Sequence, residues 1–157
     1  RQMCIRDRYR NVRFGGNVDP ERAALLAMYH DATEIITGDL PTPVKYYNAE
    51  IKAEYDKVEK MAEEKLLSYL PEDLRGYYAP LFSKTEEDKE LWVLVKAADK
   101  LSALIKCIEE RQMGNSDFTE AEKSTLQAVH DMALPEAEEF ISEFLSAYHL
   151  TLDGQTK

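Results

Sequence analysis

Apolar residues recur along most of this chain at intervals of three and four positions, the spacing that brings side chains onto one face of an α-helix. Glycine and proline occur six times each and fall mainly between these stretches, where they mark helix ends. An alternation of apolar and polar residues, which would indicate a strand, is not sustained over a useful length. The pattern therefore predicts an all-α fold.

The first predicted helix has clear signals at both ends. Asp19 is a residue type that favours the N-cap position, and Pro20 follows it at the first helical position. An apolar face leads from there to His30, and Gly38 is suited to end the helix. We therefore expect one continuous helix from Asp19 to Gly38.

A second helix is predicted to start after Thr42, with Pro43 in its first turn, and to end before Pro71. One apolar stripe follows this helix, through Tyr47, Ile51, Tyr55, Val58, Ala62, Leu66 and Leu70. A short helical turn at 72–75 and a loop that holds Pro80 are expected next.

A third long helix is predicted from a weak capping box, formed by Thr85 and Asp88, to Gly114. The tail from Thr119 to Leu150 is also predicted to be helical, with an interruption at Pro135. Its packing face consists of Phe140, Phe144, Leu145 and Tyr148.

Composition and charge narrow the classes of function. The 157 residues fit one domain, and 44% hydrophobic content suffices for a core. The formal net charge of -10 repels a phosphate backbone, so we expect no nucleic acid polymer as partner, although a small anionic substrate remains compatible. Because Cys4 and Cys107 are far apart and no apolar segment opens the chain, we predict a reduced cytoplasmic protein without a membrane span.

The first eight residues have no helical period and do not start with methionine. We therefore predict that residues 1–8 are not native to the domain and that the domain comprises residues 9–157.

The pair His30 and Asp31 is the main candidate for chemistry. Glu34 lies four residues after His30 and three after Asp31, so on a helix the three side chains share one face. An imidazole and two carboxylates can hold a divalent cation and activate its water. A second His-Asp pair, at residues 130–131, shows that the dipeptide alone is weak support; only the first follows an apolar run, at residues 24–29.

Two further features keep two interpretations each. Asp99 lies within an apolar helix and is either a metal ligand or the partner of Lys96 or Lys100. The loop at residues 37–43 either docks a phosphate at backbone amides or is a rigid connector with capping residues.

Several stretches resemble the YfbR-like 5'-deoxynucleotidases of the HD-domain superfamily, notably residues 14–18, 24–34, 37–46, 71–75 and 96–99. The resemblance covers nearly everything after about residue 9, and the Gly-Asp-Leu-Pro-Thr-Pro loop beside His30-Asp31 is its most specific part. It implies an all-α HD-domain helical bundle that forms a homodimer. It also implies a hydrolase that uses a divalent metal cation, cobalt or manganese, to convert deoxyribonucleoside 5'-monophosphates to deoxyribonucleosides and phosphate.

Matching the family position by position assigns roles to individual residues. The metal ligands implied are His30, Asp31 and Asp99. Glu34, together with Asp31, takes the catalytic role of activating or orienting the attacking water. The loop implied to contact sugar and phosphate contains Asp39, Leu40, Pro41 and Thr42.

The family also has a fourth ligand, a histidine on an earlier helix, and an arginine-tryptophan pair near its N-terminus. Neither has a counterpart in this sequence, so we expect an HD domain without its first helix. Two alternatives stay open at this point: a catalytically inert helical fragment, and an HD phosphohydrolase that acts on another nucleotide.

Overall fold

A computed structural model of the chain describes residues 8–40, 44 and 47–150. Among these residues there are helices and connecting turns and no strand, so the predicted all-α fold is confirmed. The elements are α1 (Pro20–Tyr29), α2 (Glu34–Thr37), α3 (Ala49–Ser68), α4 (Glu72–Phe82), α5 (Lys89–Gln112), α6 (Thr119–His130) and α7 (Pro135–Phe144), with 3₁₀ turns at Ser116–Phe118 and Leu145–His149. Residues 8–12 are helical as well.

The chain divides into two compact units. One is formed by the residues up to Ala24 together with those from Glu90 onward, and the other by Leu25–Lys89. In the first unit a hydrophobic core joins α5, α6 and α7, and it consists of Leu101, Leu104, Ile105, Ile108, Val129, Ala137 and Phe140. Phe144, Leu145 and Tyr148 pack against this core, which confirms the packing face predicted for the tail.

Charged pairs hold the helical residues 8–12 against α7. Arg10 Nη1 lies 2.7 Å from Glu136 Oε1, and the same guanidinium contacts Glu90. The Glu136 side chain is only 1% exposed, whereas that of Arg10 is 29% exposed. Because a buried carboxylate needs a positive partner, Arg10 is the residue that makes the burial of Glu136 tolerable.

A second, more exposed cluster continues the same contact. Arg13 contacts Glu139 and lies 2.6 Å from Glu143, whose carboxylate also accepts a hydrogen bond from the Tyr9 hydroxyl. The hydrogen bonds from Arg13 and Tyr9, in that order of effect, hold the pKa of Glu143 below its ordinary value.

The lowered pKa of Glu143 predicts an acid-sensitive contribution to stability. A depressed pKa in the folded state stabilises the fold above the unfolded-state value of about 4.3, and this contribution is lost as the pH falls through the folded-state pKa. Urea denaturation between about pH 5 and 3 should therefore show a smaller loss of stability in Arg13→Met than in the unmodified chain. Equal losses would contradict this role of Arg13.

The prediction of one helix from Asp19 to Gly38 is wrong, because residues 30–33 separate α1 from α2. Asp19 does cap the start, since its Oδ1 accepts from the amides of Glu21 and Arg22 at 2.9 and 3.0 Å. At the break, the His30 ring bonds the Ala27 carbonyl at 2.8 Å. A side chain that bonds a main-chain carbonyl competes with the regular hydrogen bonds of the helix. The backbone hydrogen bonds after Tyr29 join residues three positions apart, as in a 3₁₀ turn.

Two other predicted boundaries change. The long helix α3 begins at Ala49, where the Asn48 side chain accepts from the amide of Ile51 at 2.7 Å; Thr42 and Pro43, the predicted start, lie outside the described residues. The predicted short turn with a following loop is instead the helix α4, which includes Pro80.

Pro80 lies in the last turn of α4, so the ladder hydrogen bond that its missing amide removes is one of the last of the helix. Aromatic contacts anchor that turn: the Tyr29 ring meets those of Tyr78 and Phe82 edge to face, with centroids 6.0 and 5.7 Å apart. Of the capping box predicted before α5, the contact between Thr85 and Asp88 is present, but α5 begins at Lys89, after both residues.

Candidate active site

His30 follows α1 directly, and its ring orientation is set by the main chain. The 2.8 Å contact between Nδ1 and the Ala27 carbonyl oxygen requires a proton on Nδ1, because a carbonyl can only accept. The other ring nitrogen, Nε2, is therefore left with a lone pair in the neutral ring. This is the arrangement that suits an imidazole ligand, since the bond behind the ring fixes both tautomer and direction.

Asp31 stands directly in front of that lone pair. Its Oδ2 lies 2.9 Å from His30 Nε2. A lone pair and a carboxylate oxygen at this separation repel each other unless a proton or a cation lies between them. Ligand bonds of about 2.0–2.2 Å at roughly right angles place two ligand atoms about 3 Å apart. The donor types and their spacing therefore fit a divalent cation.

Glu34 is the first residue of α2, and local hydrogen bonds fix its backbone relative to the pair. Its amide donates to the Asp31 carbonyl at 2.9 Å, and its own carbonyl accepts from the amide of Gly38 at 2.9 Å. The side chain is half-buried. His30 and Asp31 lie in the break between α1 and α2 and Glu34 lies directly after it, so the three residues are not on a regular helical face as the spacing predicted.

The loop that follows α2 begins at Gly38, which has φ 70° and ψ 163°. Asp39 is exposed and Leu40 is half-buried. Pro41 and Thr42, the other two residues expected to contact substrate, lie outside the described residues. The described part of the loop therefore leaves the Asp39 carboxylate accessible to a ligand.

Asp99 belongs to the other compact unit, on α5, where it is exposed next to the buried Ala97 and Ala98. Like His30 and Asp31, it offers a ligand atom of a type that holds metal ions. Its two interpretations, metal ligand or partner of a neighbouring lysine, stay as predicted from the sequence.

The second His-Asp pair has a structural explanation. His130 Nδ1 lies 2.7 Å from Glu138 Oε1, and Asp131 Oδ1 accepts from Gln127 Nε2 at 2.8 Å. The His130 contact joins the end of α6 to α7, whereas the Asp131 contact lies at the end of α6 itself. The pair offers a matched control for the first pair.

One residue near the candidate site escaped the sequence analysis. Tyr55 was assigned only to the apolar stripe of α3, yet its hydroxyl donates to the Gly38 carbonyl at 3.1 Å. The available signal was the residue type, because a half-buried tyrosine usually finds a hydrogen-bond partner for its hydroxyl.

The comparisons with known proteins agree on one family. A family profile described as 5'-deoxynucleotidase YfbR-like matches residues 6–148. A 5'-deoxynucleotidase of Photobacterium profundum is 47% identical over 144 residues, which are 92% of this chain and 74% of the relative. The 5'-deoxynucleotidase YfbR of Shigella flexneri serotype 5b is also 47% identical, over 92% of this chain and 72% of the relative.

The all-helical fold and the His-Asp pair suited to a divalent cation are the features expected of a phosphohydrolase of the HD type. The matches over most of the chain show that it belongs to the YfbR-like 5'-deoxynucleotidase family. By family it is a phosphoric monoester hydrolase, as the resemblance predicted. Within the described part of the chain, no helix has the length and apolar character needed to cross a membrane.

Proposed function

We propose that this chain hydrolyses deoxyribonucleoside 5'-monophosphates to deoxyribonucleosides and phosphate, with a divalent cation, cobalt or manganese, held by His30, Asp31 and Asp99. The observation that carries the proposal is the 2.9 Å contact between His30 Nε2 and Asp31 Oδ2. The proton of the neutral ring lies on Nδ1, which donates to the Ala27 carbonyl. Family membership supports both the reaction and the metal class.

When bound, a divalent cation lowers the pKa of a coordinated water and offsets charge on phosphoryl oxygens. The protein residues supply the rest. The hydrogen bond to the main chain fixes the orientation of the His30 imidazole before a metal ion binds, which reduces the entropy lost on metal binding. Asp31 contributes a negative charge, which attracts a divalent cation more strongly than a neutral ligand would.

Glu34 is proposed to orient the attacking water and to accept its proton. Its backbone is bonded to Asp31 on one side and to Gly38 on the other, so its position relative to both parts of the site is fixed. A carboxylate that is half-buried and held in this way is suited to general-base catalysis.

The loop after α2 is proposed to bind the sugar and the phosphate through Asp39, Leu40, Pro41 and Thr42. An exposed carboxylate at Asp39 can accept hydrogen bonds from a deoxyribose hydroxyl. We further propose that the protein acts as a cytoplasmic homodimer, in line with the family resemblance.

The test is phosphate release from a panel of deoxyribo- and ribonucleoside 5'-monophosphates, after removal of metal with EDTA and after addition of cobalt or manganese. We expect release from the deoxyribonucleotides, dependence on added metal, and much slower release from the ribonucleotides. Release from a nucleoside triphosphate or cyclic nucleotide in place of the monophosphates would overturn the substrate assignment.

A further inference from the structure

The backbone amide and the carbonyl of Gly38 both form hydrogen bonds with residues of the helices α2 and α3. Its amide donates to the Glu34 carbonyl at 2.9 Å. Its carbonyl accepts from the Tyr55 hydroxyl at 3.1 Å and from Thr37 Oγ1 at 3.0 Å. A carbonyl oxygen has two lone pairs, so these two donors complete its acceptor capacity. We call this arrangement the Gly38 clamp.

The clamp holds a backbone conformation that is rare outside glycine. Gly38 has φ 70° and ψ 163°, a region that residues with a Cβ reach only at a cost of about 1–3 kcal/mol. A glycine is also the most flexible residue type, so this conformation persists only when neighbours determine it. The three hydrogen bonds to Gly38 provide that constraint.

The clamp acts on Asp39 through the peptide bond. The Gly38 carbonyl and the Asp39 amide belong to one planar unit. Fixing the direction of the carbonyl therefore fixes the plane from which Asp39 extends. A displacement of about 1 Å at a residue that recognises substrate is enough to impair selectivity or rate.

Tyr55 and Thr37 contribute to the clamp in different ways. Thr37 is adjacent to Gly38, and its single hydroxyl hydrogen is shared with the Thr33 carbonyl, which lies 3.3 Å away. Tyr55 lies on α3, 17 positions further along the chain. Of the three hydrogen bonds described for Gly38, the one from Tyr55 comes from an element outside its own segment, so its loss should loosen the backbone at Gly38.

We propose that Tyr55 is a positioning residue that acts through Gly38 on Asp39 and thereby sets the preference for deoxyribose over ribose. This inference rests on the proposed function, because it assigns the sugar contact to Asp39. Tyr55 does not touch substrate in this scheme. Its effect should appear in the ratio of kcat/KM values for a deoxyribonucleotide and the matching ribonucleotide.

The test compares Tyr55→Phe with Tyr77→Phe, which removes the same hydroxyl from a residue that is 78% exposed on α4. We expect Tyr55→Phe to lower the deoxyribose preference about three- to tenfold, the range that corresponds to one hydrogen bond. Tyr77→Phe should keep the preference of the unmodified chain. Amide hydrogen exchange at Asp39 should become faster in Tyr55→Phe alone.

A double substitution identifies the route of the effect. If Tyr55 acts through Asp39, Tyr55→Phe should change the preference little in an Asp39→Asn background. An undiminished effect in that background, or an unchanged preference and exchange rate in Tyr55→Phe, would overturn the inference. No preference for deoxyribose in the unmodified chain would overturn the proposed function instead, so the two failures are distinguishable.

Discussion

Replacement of Asp31 by asparagine is expected to lower kcat/KM for deoxyribonucleoside 5'-monophosphates by about 10³-fold or more. The substitution keeps the size of the side chain but removes the negative charge that lies 2.9 Å from His30 Nε2. Groups that merely support a metal ligand typically cost 10- to 100-fold when removed, and the loss of a ligand should exceed this. Steady-state phosphate release and calorimetric titration with manganese would measure the two effects.

The second His-Asp pair supplies the control. Asp131→Asn makes the same chemical change in the same dipeptide, at an exposed position whose carboxylate accepts a hydrogen bond from Gln127 of α6. We expect it to retain activity and manganese affinity. Equal losses in the two variants, or full activity in Asp31→Asn, would sink the assignment of Asp31 as a ligand.

The second large effect is expected for stability. Arg10→Met should lower the free energy of unfolding by about 3 kcal/mol, because it leaves the Glu136 carboxylate without its positive partner. Among the residues that the structure describes, Glu136 Oε2 already has no hydrogen-bond partner. The variant would therefore leave a side chain that is 1% exposed with an uncompensated charge. Urea denaturation at neutral pH would measure the change.

Arg13→Met is the matched control for this prediction. It removes a guanidinium from the same segment, but the carboxylates that Arg13 contacts are 28% and 36% exposed and keep access to water. We expect a much smaller loss of stability than in Arg10→Met. A second variant, Arg10→Met combined with Glu136→Met, should recover part of the stability by removing the stranded charge. A loss in Arg10→Met no larger than in Arg13→Met would contradict the argument.

The sequence predicted those features of the fold that depend on local chemistry. Asp19 caps α1, Thr85 and Asp88 are hydrogen-bonded to each other, and the predicted interruption of the tail lies at Pro135, the first residue of α7. In each case the deciding interaction spans only a few positions, so residue type and spacing contain it. The break after Tyr29 could not be predicted from periodicity, and the contact made there between His30 and the Ala27 carbonyl depends on the His30 rotamer.

In the candidate site, too, local features could be predicted from the sequence and tertiary contacts could not. His30 and Asp31 are adjacent, and the apolar run before them distinguishes this pair from residues 130–131. The Gly38 clamp joins positions 17 apart, and the pairing of Arg10 with Glu136 joins positions 126 apart. No pattern of spacing relates such positions, since tertiary packing alone decides which charged or polar side chains meet.

The helix α2 has only four residues, yet it separates the proposed catalytic carboxylate from the proposed sugar-binding one. Glu34 is the first residue of the helix and Gly38 is its C-cap. The number of residues between them therefore sets the rotation about the helix axis that separates Glu34 from Asp39. Each inserted residue would turn the loop by about 100° and advance it by about 1.5 Å. Ile35 and Ile36, whose side chains are exposed, can be exchanged at little cost. Evolution of this segment should therefore tolerate changes of residue and reject changes of length.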